Sequence, residues 1–163
     1  MKVYNTQVVM REFPDEISLV FNISGCLNHC PDCHSKYLWG DVGEKLDEQF
    51  IERAIKENSG ITCIGFMGGD GSVQEVVRLA YYIRDNYDLR IGWYSGRYPE
   101  GNNIASVYDS EYDLYVFDYI KFGPYIAERG GLDNPNTNQF MLYNRQDGYW
   151  EDITSRFWNS SAK

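Results

Sequence analysis

Cys26, Cys30 and Cys33 stand within eight residues, spaced Cys-x3-Cys-x2-Cys. Thiolates are soft donors that suit zinc or an iron–sulfur centre, and so compact a loop lets three of them point at one small object. Three is the informative number. A structural site normally closes all four positions, whereas a catalytic centre keeps one open for substrate. The competing reading is a zinc site completed by His29, His34 or Cys63. His34 adjoins Cys33 and His29 sits between two of the cysteines, so either must fold back to reach the same ion. Cys63 falls in an apolar stretch, where cysteine more often acts as a small hydrophobe. A disulfide framework would spread cysteines over the loops of a secreted chain, which this triplet does not do.

Two short polar groups lie further along. Gly68-Gly69-Asp70 offers two positions without Cβ atoms, where backbone can approach a ligand closely. Alone it is weak evidence, since a plain strand-to-helix turn reads the same. Ser95-Gly96-Arg97 adds a guanidinium able to grip a carboxylate. An exposed turn arginine is the plain alternative. Trp93 and Tyr94, just before it, read as packing residues.

The elements that must position these groups alternate in type. Residues 17–24 (ISLVFNIS) form a β-rich run that feeds the cysteines. Leu46, Phe50, Ile51, Ala54 and Ile55 recur at helical spacing, which predicts a helix over 46–58. Residues 62–67 predict a strand that ends on the glycine pair. A helix over about 73–86 follows, with Ser72 as N-cap and Val73, Val76, Val77, Ala80 and Ile83 facing inward. Residues 90–95 predict a third strand, and 114–117 with 119–122 one or two more. The end from Asn159 to Lys163 reads as frayed. This order implies βαβ units and a mostly parallel sheet, with the chemistry on loops after strand C-termini.

Composition sets the remaining bounds. The 163 residues are 43% hydrophobic and 16% aromatic. That is enough for a compact core, and the length predicts a single domain over 1–163. A net charge of −9 repels nucleic-acid backbones and anionic membranes, so neither is an expected partner. With no apolar run of about 18 residues and no signal-peptide core at the N-terminus, a soluble cytoplasmic protein is expected.

Cys-x3-Cys-x2-Cys after a first strand resembles the cluster motif of radical S-adenosylmethionine (SAM) enzymes. The resemblance implies that Cys26, Cys30 and Cys33 hold a [4Fe–4S] cluster whose fourth iron chelates the amino and carboxylate groups of SAM. Many members carry an aromatic residue just before the third cysteine. Asp32 stands there in this chain, leaving the backbone around Asp32, Cys33 and His34 to contact adenine. Gly68, Gly69 and Asp70 resemble the superfamily's Gly-Gly-Glu/Asp motif, which holds the methionine amino group. Ser95 and Arg97 are then candidates for the SAM carboxylate or ribose.

Within the superfamily, the stretch from Ser24 to Trp39 (SGCLNHCPDCHSKYLW) resembles the opening of the activating proteins of anaerobic ribonucleoside-triphosphate reductase. Asp118 to Gly123, then Arg129 to Leu132 and Thr137-Asn138-Gln139, resemble that family's later elements, although Phe140 stands where the family usually has arginine. The implied activity is glycyl-radical activation of the large reductase subunit, with electrons from a one-electron donor such as flavodoxin and no protein acid, base or nucleophile. The alternatives are a pyruvate formate-lyase activase-like enzyme, a small-molecule enzyme of the deazapurine synthase type, or a structural zinc module. The implied fold is α/β, an incomplete β/α barrel with a mostly parallel sheet of about five to six strands. A full barrel needs about 250 residues. A shortened one leaves a side open, which favours a bulky protein substrate.

Overall fold

The computed structural model describes residues 1–98 and 110–162. One eight-stranded sheet runs through it: β1 (Lys2–Val9), β2 (Ser18–Ile23), β3 (Glu44–Lys45), β4 (Cys63–Met67), β5 (Arg90–Tyr94), β6 (Tyr119–Phe122), β7 (Phe140–Asn144) and β8 (Trp150–Asp152), in the spatial order β3-β1-β2-β4-β5-β6-β7-β8. Helices α1 (Glu48–Glu57) and α2 (Val73–Asn86) supply the two crossovers between β2 and β5.

The expected mostly parallel partial barrel of five to six strands is not what forms. Only β2–β4, β4–β5 and β5–β6 pair in parallel. The pairs β1–β2, β1–β3, β6–β7 and β7–β8 are antiparallel, so the sheet is mixed. Connection length explains two of these antiparallel pairs, β1–β2 and β7–β8. A parallel return needs about a dozen residues, usually with a helix, and residues 10–17 and 145–149 are too short for one. Strands β1, β3, β7 and β8 escape the sequence pattern because β1 is interrupted by polar residues and β3, β7 and β8 are short, so their alternation is weak. The strand expected over 114–117 is a 3-10 helix, Leu114–Val116, capped by the Asp113 carboxylate, which accepts from Tyr115 N. The C-terminal stretch Thr154–Ala162 is also 3-10, so the frayed end expected from Asn159 is helical through Ala162; Lys163 lies outside the described residues.

Both helices pack on one face of the sheet. Ile51 and Ala54 of α1, with Val76, Leu79, Ala80 and Ile83 of α2, are buried against Phe21, Ile64, Phe66, Ile91 and Ile120. Asp47 caps α1 by accepting from Phe50 N at 2.9 Å, which satisfies one of the helix's orphan donors. Ser72 stands at the expected N-cap of α2 but makes no side-chain capping bond; a 3-10 turn, Asp70–Ser72, leads into that helix instead. Among the described residues the opposite face carries no α-helix; Phe157 of the C-terminal 3-10 stretch packs there against the cluster around Phe13. There Gly65 and Gly92, side by side in register, make room for the Phe13 ring; Cβ atoms added at them would stand 2.6 and 2.2 Å from it. Among the described residues no helix is long and apolar enough to cross a membrane.

Candidate iron–sulfur site

The parallel core brings four strand ends together. Strand β2 delivers the cysteine loop, β4 the glycine loop, β5 the Ser95-Gly96-Arg97 turn, and β6 the segment from Gly123 onward. Parallel strands end on the same edge, so βα loops separated widely in sequence become neighbours. The expectation that the chemistry-bearing loops share this edge rests on those central strands alone, and they suffice.

The cysteine loop is folded by local backbone geometry. Gly25 N donates to Gly40 O at 2.9 Å and Cys26 N to Leu38 O at 3.0 Å, which closes residues 25–40 into a lobe. Ser24 Oγ donates to Val42 O at 2.6 Å and fastens the base of that lobe. His29 and Asp32 both hold left-handed backbone, with φ of 44° and 60°. This uncommon conformation curls the chain between the cysteines. Cys33 N donates to Cys30 O at 3.2 Å, so these two cysteines share one turn. All three thiols are free and half-buried, and Cys33 Sγ accepts from Ser35 N at 3.3 Å. Soft, accessible thiols beside a backbone N–H donor suit an iron–sulfur cluster. Among the described residues no three His, Cys, Asp or Glu side chains close on a single metal ion.

The other sequence candidates fall into two groups. Asp70, Ser95, Gly96, Arg97 and the unanticipated Asn28 form one hydrogen-bonded node. Asp70 Oδ2 accepts from Asn28 Nδ2 and from Gly96 N, both at 2.9 Å, and Asp70 Oδ1 accepts from Ser95 Oγ at 2.5 Å. Ser95 Oγ in turn accepts from Arg97 N at 3.1 Å. Gly68 and Gly69 turn the chain into this node with φ of 105° and 91°. At Gly69 a Cβ would meet Val76 Cγ2 at 2.6 Å, so both the backbone angle and the space require glycine there. The Gly68 carbonyl accepts from Trp93 Nε1 at 2.8 Å. Trp93 and Tyr94 are packing residues, against Phe117 and Phe13 respectively.

Asp32 and His34 lie outside the node. Asp32 is exposed, and the exposed His34 meets the Tyr125 ring edge-on at 5.0 Å. His29 stacks on Trp39 at 4.4 Å between ring centroids. Cys63 is fully buried opposite Ser18, at the far end of β4 from the cysteine loop. About 13 Å of strand separates it from the glycine loop. Burial pushes its thiol well above the ordinary value. It therefore behaves as a core residue, and the fourth-ligand role weighed for it has no geometric basis.

Sequence reading also misses Lys121. It is buried on β6 beside Tyr94, with Nζ donating to Gly123 O at 2.9 Å and to Ser95 O at 3.3 Å. Burial lowers its pKa to about 8, opposed by the nearby Asp70 and Cys30. Gln139 Nε2 donates to the same Gly123 carbonyl at 3.3 Å, and Asn138 Nδ2 to Pro124 O at 2.9 Å. The Asn-Gln pair thus holds the turn after β6. Asn28 was legible only as the polar residue between two cysteines, and Lys121 as the lone charge in the run YIKF.

An α/β sheet carrying a three-thiol loop at the C-terminal edge of its parallel strands defines an iron–sulfur protein. A family model described as a 4Fe-4S single cluster domain matches residues 17–107, more than half the chain and the span from β2 past β5, and the chain belongs to that family. No curated protein and no solved structure is significantly similar to it.

Proposed function

We propose that this protein is a radical SAM activase that generates a glycyl radical on the large subunit of anaerobic ribonucleoside-triphosphate reductase. Cys26, Cys30 and Cys33 hold the [4Fe–4S] cluster, and SAM binds beside it against Gly68, Gly69, Asp70, Ser95 and Arg97. The observation that carries the reading is the Asn28–Asp70 bond, which ties the cysteine loop directly to the glycine loop. A protein that only stored electrons would not need a second, glycine-lined loop fixed beside its cluster. When bound, the reduced cluster and SAM supply methionine and a 5′-deoxyadenosyl radical, which takes one hydrogen atom from a glycine Cα.

The chain's own work is to bind, orient and exclude water. Asp70 is fixed by three donors from two other loops, so its position is set before any ligand arrives. Arg97 is exposed at the rim, available to a carboxylate. The cysteine loop presents Leu27 and Tyr37 to solvent, 66% and 49% exposed. The activase is placed in the cytoplasm, with a one-electron donor such as flavodoxin.

Anaerobic reconstitution tests the proposal. The expected product is a brown protein with about four irons and matching acid-labile sulfide. With SAM and a reductant it should form 5′-deoxyadenosine, and with the reductase subunit a glycyl-radical EPR doublet. A colourless protein with one zinc overturns the reading. Deoxyadenosine without the doublet overturns the reductase as substrate.

A further inference from the structure

Lys121 has the geometry of a cation built in for an anion that belongs beside it. It sits within the apolar strand β6 and is 8% exposed. Two of its three ammonium protons are used by the Gly123 and Ser95 carbonyls. The Tyr94 ring centroid lies 5.4 Å from Nζ. Among the described residues no carboxylate stands within ion-pairing distance of it. Burying an ammonium without a counter-ion is costly, which is why its proton is held less tightly than usual. Asp70 and Cys30 lie near enough to oppose that shift. The Gly123 carbonyl also accepts from Gln139, and the Ser95 side chain donates its hydroxyl to Asp70, which accepts from Asn28 of the cysteine loop. The ammonium is therefore held at the edge of the sheet from which the cysteine loop also emerges, and moving it to water would break its bonds to the Gly123 and Ser95 carbonyls.

We propose that Lys121 is a positioning residue that serves as the counter-cation of the iron–sulfur cluster on its Cys30 side and makes that cluster easier to reduce. The inference rests on the reading that Cys30 is a cluster ligand. Three thiolates leave the cluster anionic, and reduction adds one electron from the external donor and no proton, making it one charge more negative. A fixed ammonium in a low-dielectric strand stabilises the reduced state more than the oxidised one.

The test compares reconstituted wild-type protein with Lys121→Met and Lys121→Arg in a redox titration followed by EPR, with iron content measured for each. Lys121→Met should lower the ratio of reduced to oxidised cluster about tenfold at a fixed solution potential, a shift of about 59 mV for one electron. Lys121→Arg should restore most of that shift. A second readout needs no loss of charge. Wild-type protein labelled with 15N-lysine should show a 15N hyperfine coupling to the reduced cluster, absent from Lys121→Arg. This keeps the inference open to refutation if Lys121→Met does not fold, because a missing coupling overturns it. An unchanged midpoint in Lys121→Met overturns it too, as does an effect confined to SAM affinity, which would make the lysine a partner of the SAM carboxylate. Wild-type protein that takes up no four-iron cluster overturns the proposed function as well. A wild-type cluster indifferent to position 121 overturns this inference alone.

Discussion

Asn28, between two cysteines of the first loop, donates its side-chain N–H to the carboxylate of Asp70, 42 positions later at the end of β4, at 2.9 Å. No backbone ladder connects these two loops directly, so this side-chain bond and its neighbours set their spacing. Hydrogen bonds to charged groups contribute more than neutral ones. A double-mutant cycle with Asn28→Ala and Asp70→Ala, measured by urea unfolding of the metal-free protein, should give a coupling of about 1–2 kcal/mol. Strict additivity would show that the loops are held by other contacts.

The four thiols divide by exposure. Cys26, Cys30 and Cys33 are half-buried on the loop, whereas Cys63 is fully buried in β4. Metal-free native protein should therefore react with an aromatic disulfide reagent at three thiols quickly and at the fourth only after denaturant is added. Reading modified positions by mass spectrometry checks the assignment. Rapid labelling of Cys63 would contradict the β4 placement.

Under the proposed function, Cys26→Ala, Cys30→Ala and Cys33→Ala should each lose most of the bound iron and all reductive SAM cleavage, because that reading makes the three thiolates the whole protein ligand set. Cys63→Ala should retain both. Iron assay and chromatography of deoxyadenosine decide the matter, and full cluster loading in Cys30→Ala would remove it from the set.

Some of this site could be read from the chain and some could not. The cysteine spacing, the glycine pair and the strand–helix–strand order from 17 to 94 are local signals, and α1, α2, β2, β4 and β5 lie where periodicity puts them. The mixed character of the sheet depends on which strand an edge segment pairs with, and β1 and β7 carry too little alternation to declare it. The run Leu114–Val116 shows the same limit: Leu114 and Val116 are buried as a strand's residues would be, yet the Asp113 cap turns them into a 3-10 helix. Asn28 and Lys121 act through partners far away in sequence, so their roles appear only once β2, β4, β5 and β6 are side by side.

The face of the sheet opposite α1 and α2 depends on two absent side chains. Gly65 and Gly92 are adjacent in the parallel ladder, and the Phe13 ring fills the space above them. A methyl at Gly92 would collide with a fully buried ring that has no room to retreat. Overpacking of this kind costs about 1–3 kcal/mol. Gly92→Ala should lower the urea midpoint by a corresponding amount, and adding Phe13→Leu should recover part of it. If the double variant is no more stable than the sum of the two single changes predicts, Phe13 is not what the glycine accommodates.

Cys63 also gives the fold a pH signature. Its thiol is pushed above the ordinary value of 9.0, with burial the largest cause. Below that value it is protonated in both the folded and the unfolded chain, so its contribution to stability is fully present. As pH rises further, the unfolded chain releases this proton while the folded one keeps it. Stability then falls by up to about 1.4 kcal/mol per pH unit. Lys121 acts in the opposite sense over part of this range. Its pKa is depressed to about 8, so the folded chain gives up that proton before the unfolded one does, and stability gains as pH rises. The total curve therefore mixes the two, but the difference between wild type and Cys63→Ala isolates the thiol. Urea unfolding of both metal-free proteins at intervals from about pH 7 to 10 should show a constant difference up to about pH 8.5, then a relative gain for Cys63→Ala. Parallel curves across the whole range would mean that Cys63 ionises as readily in the folded chain as in the unfolded one, and that β4 does not shield it from water.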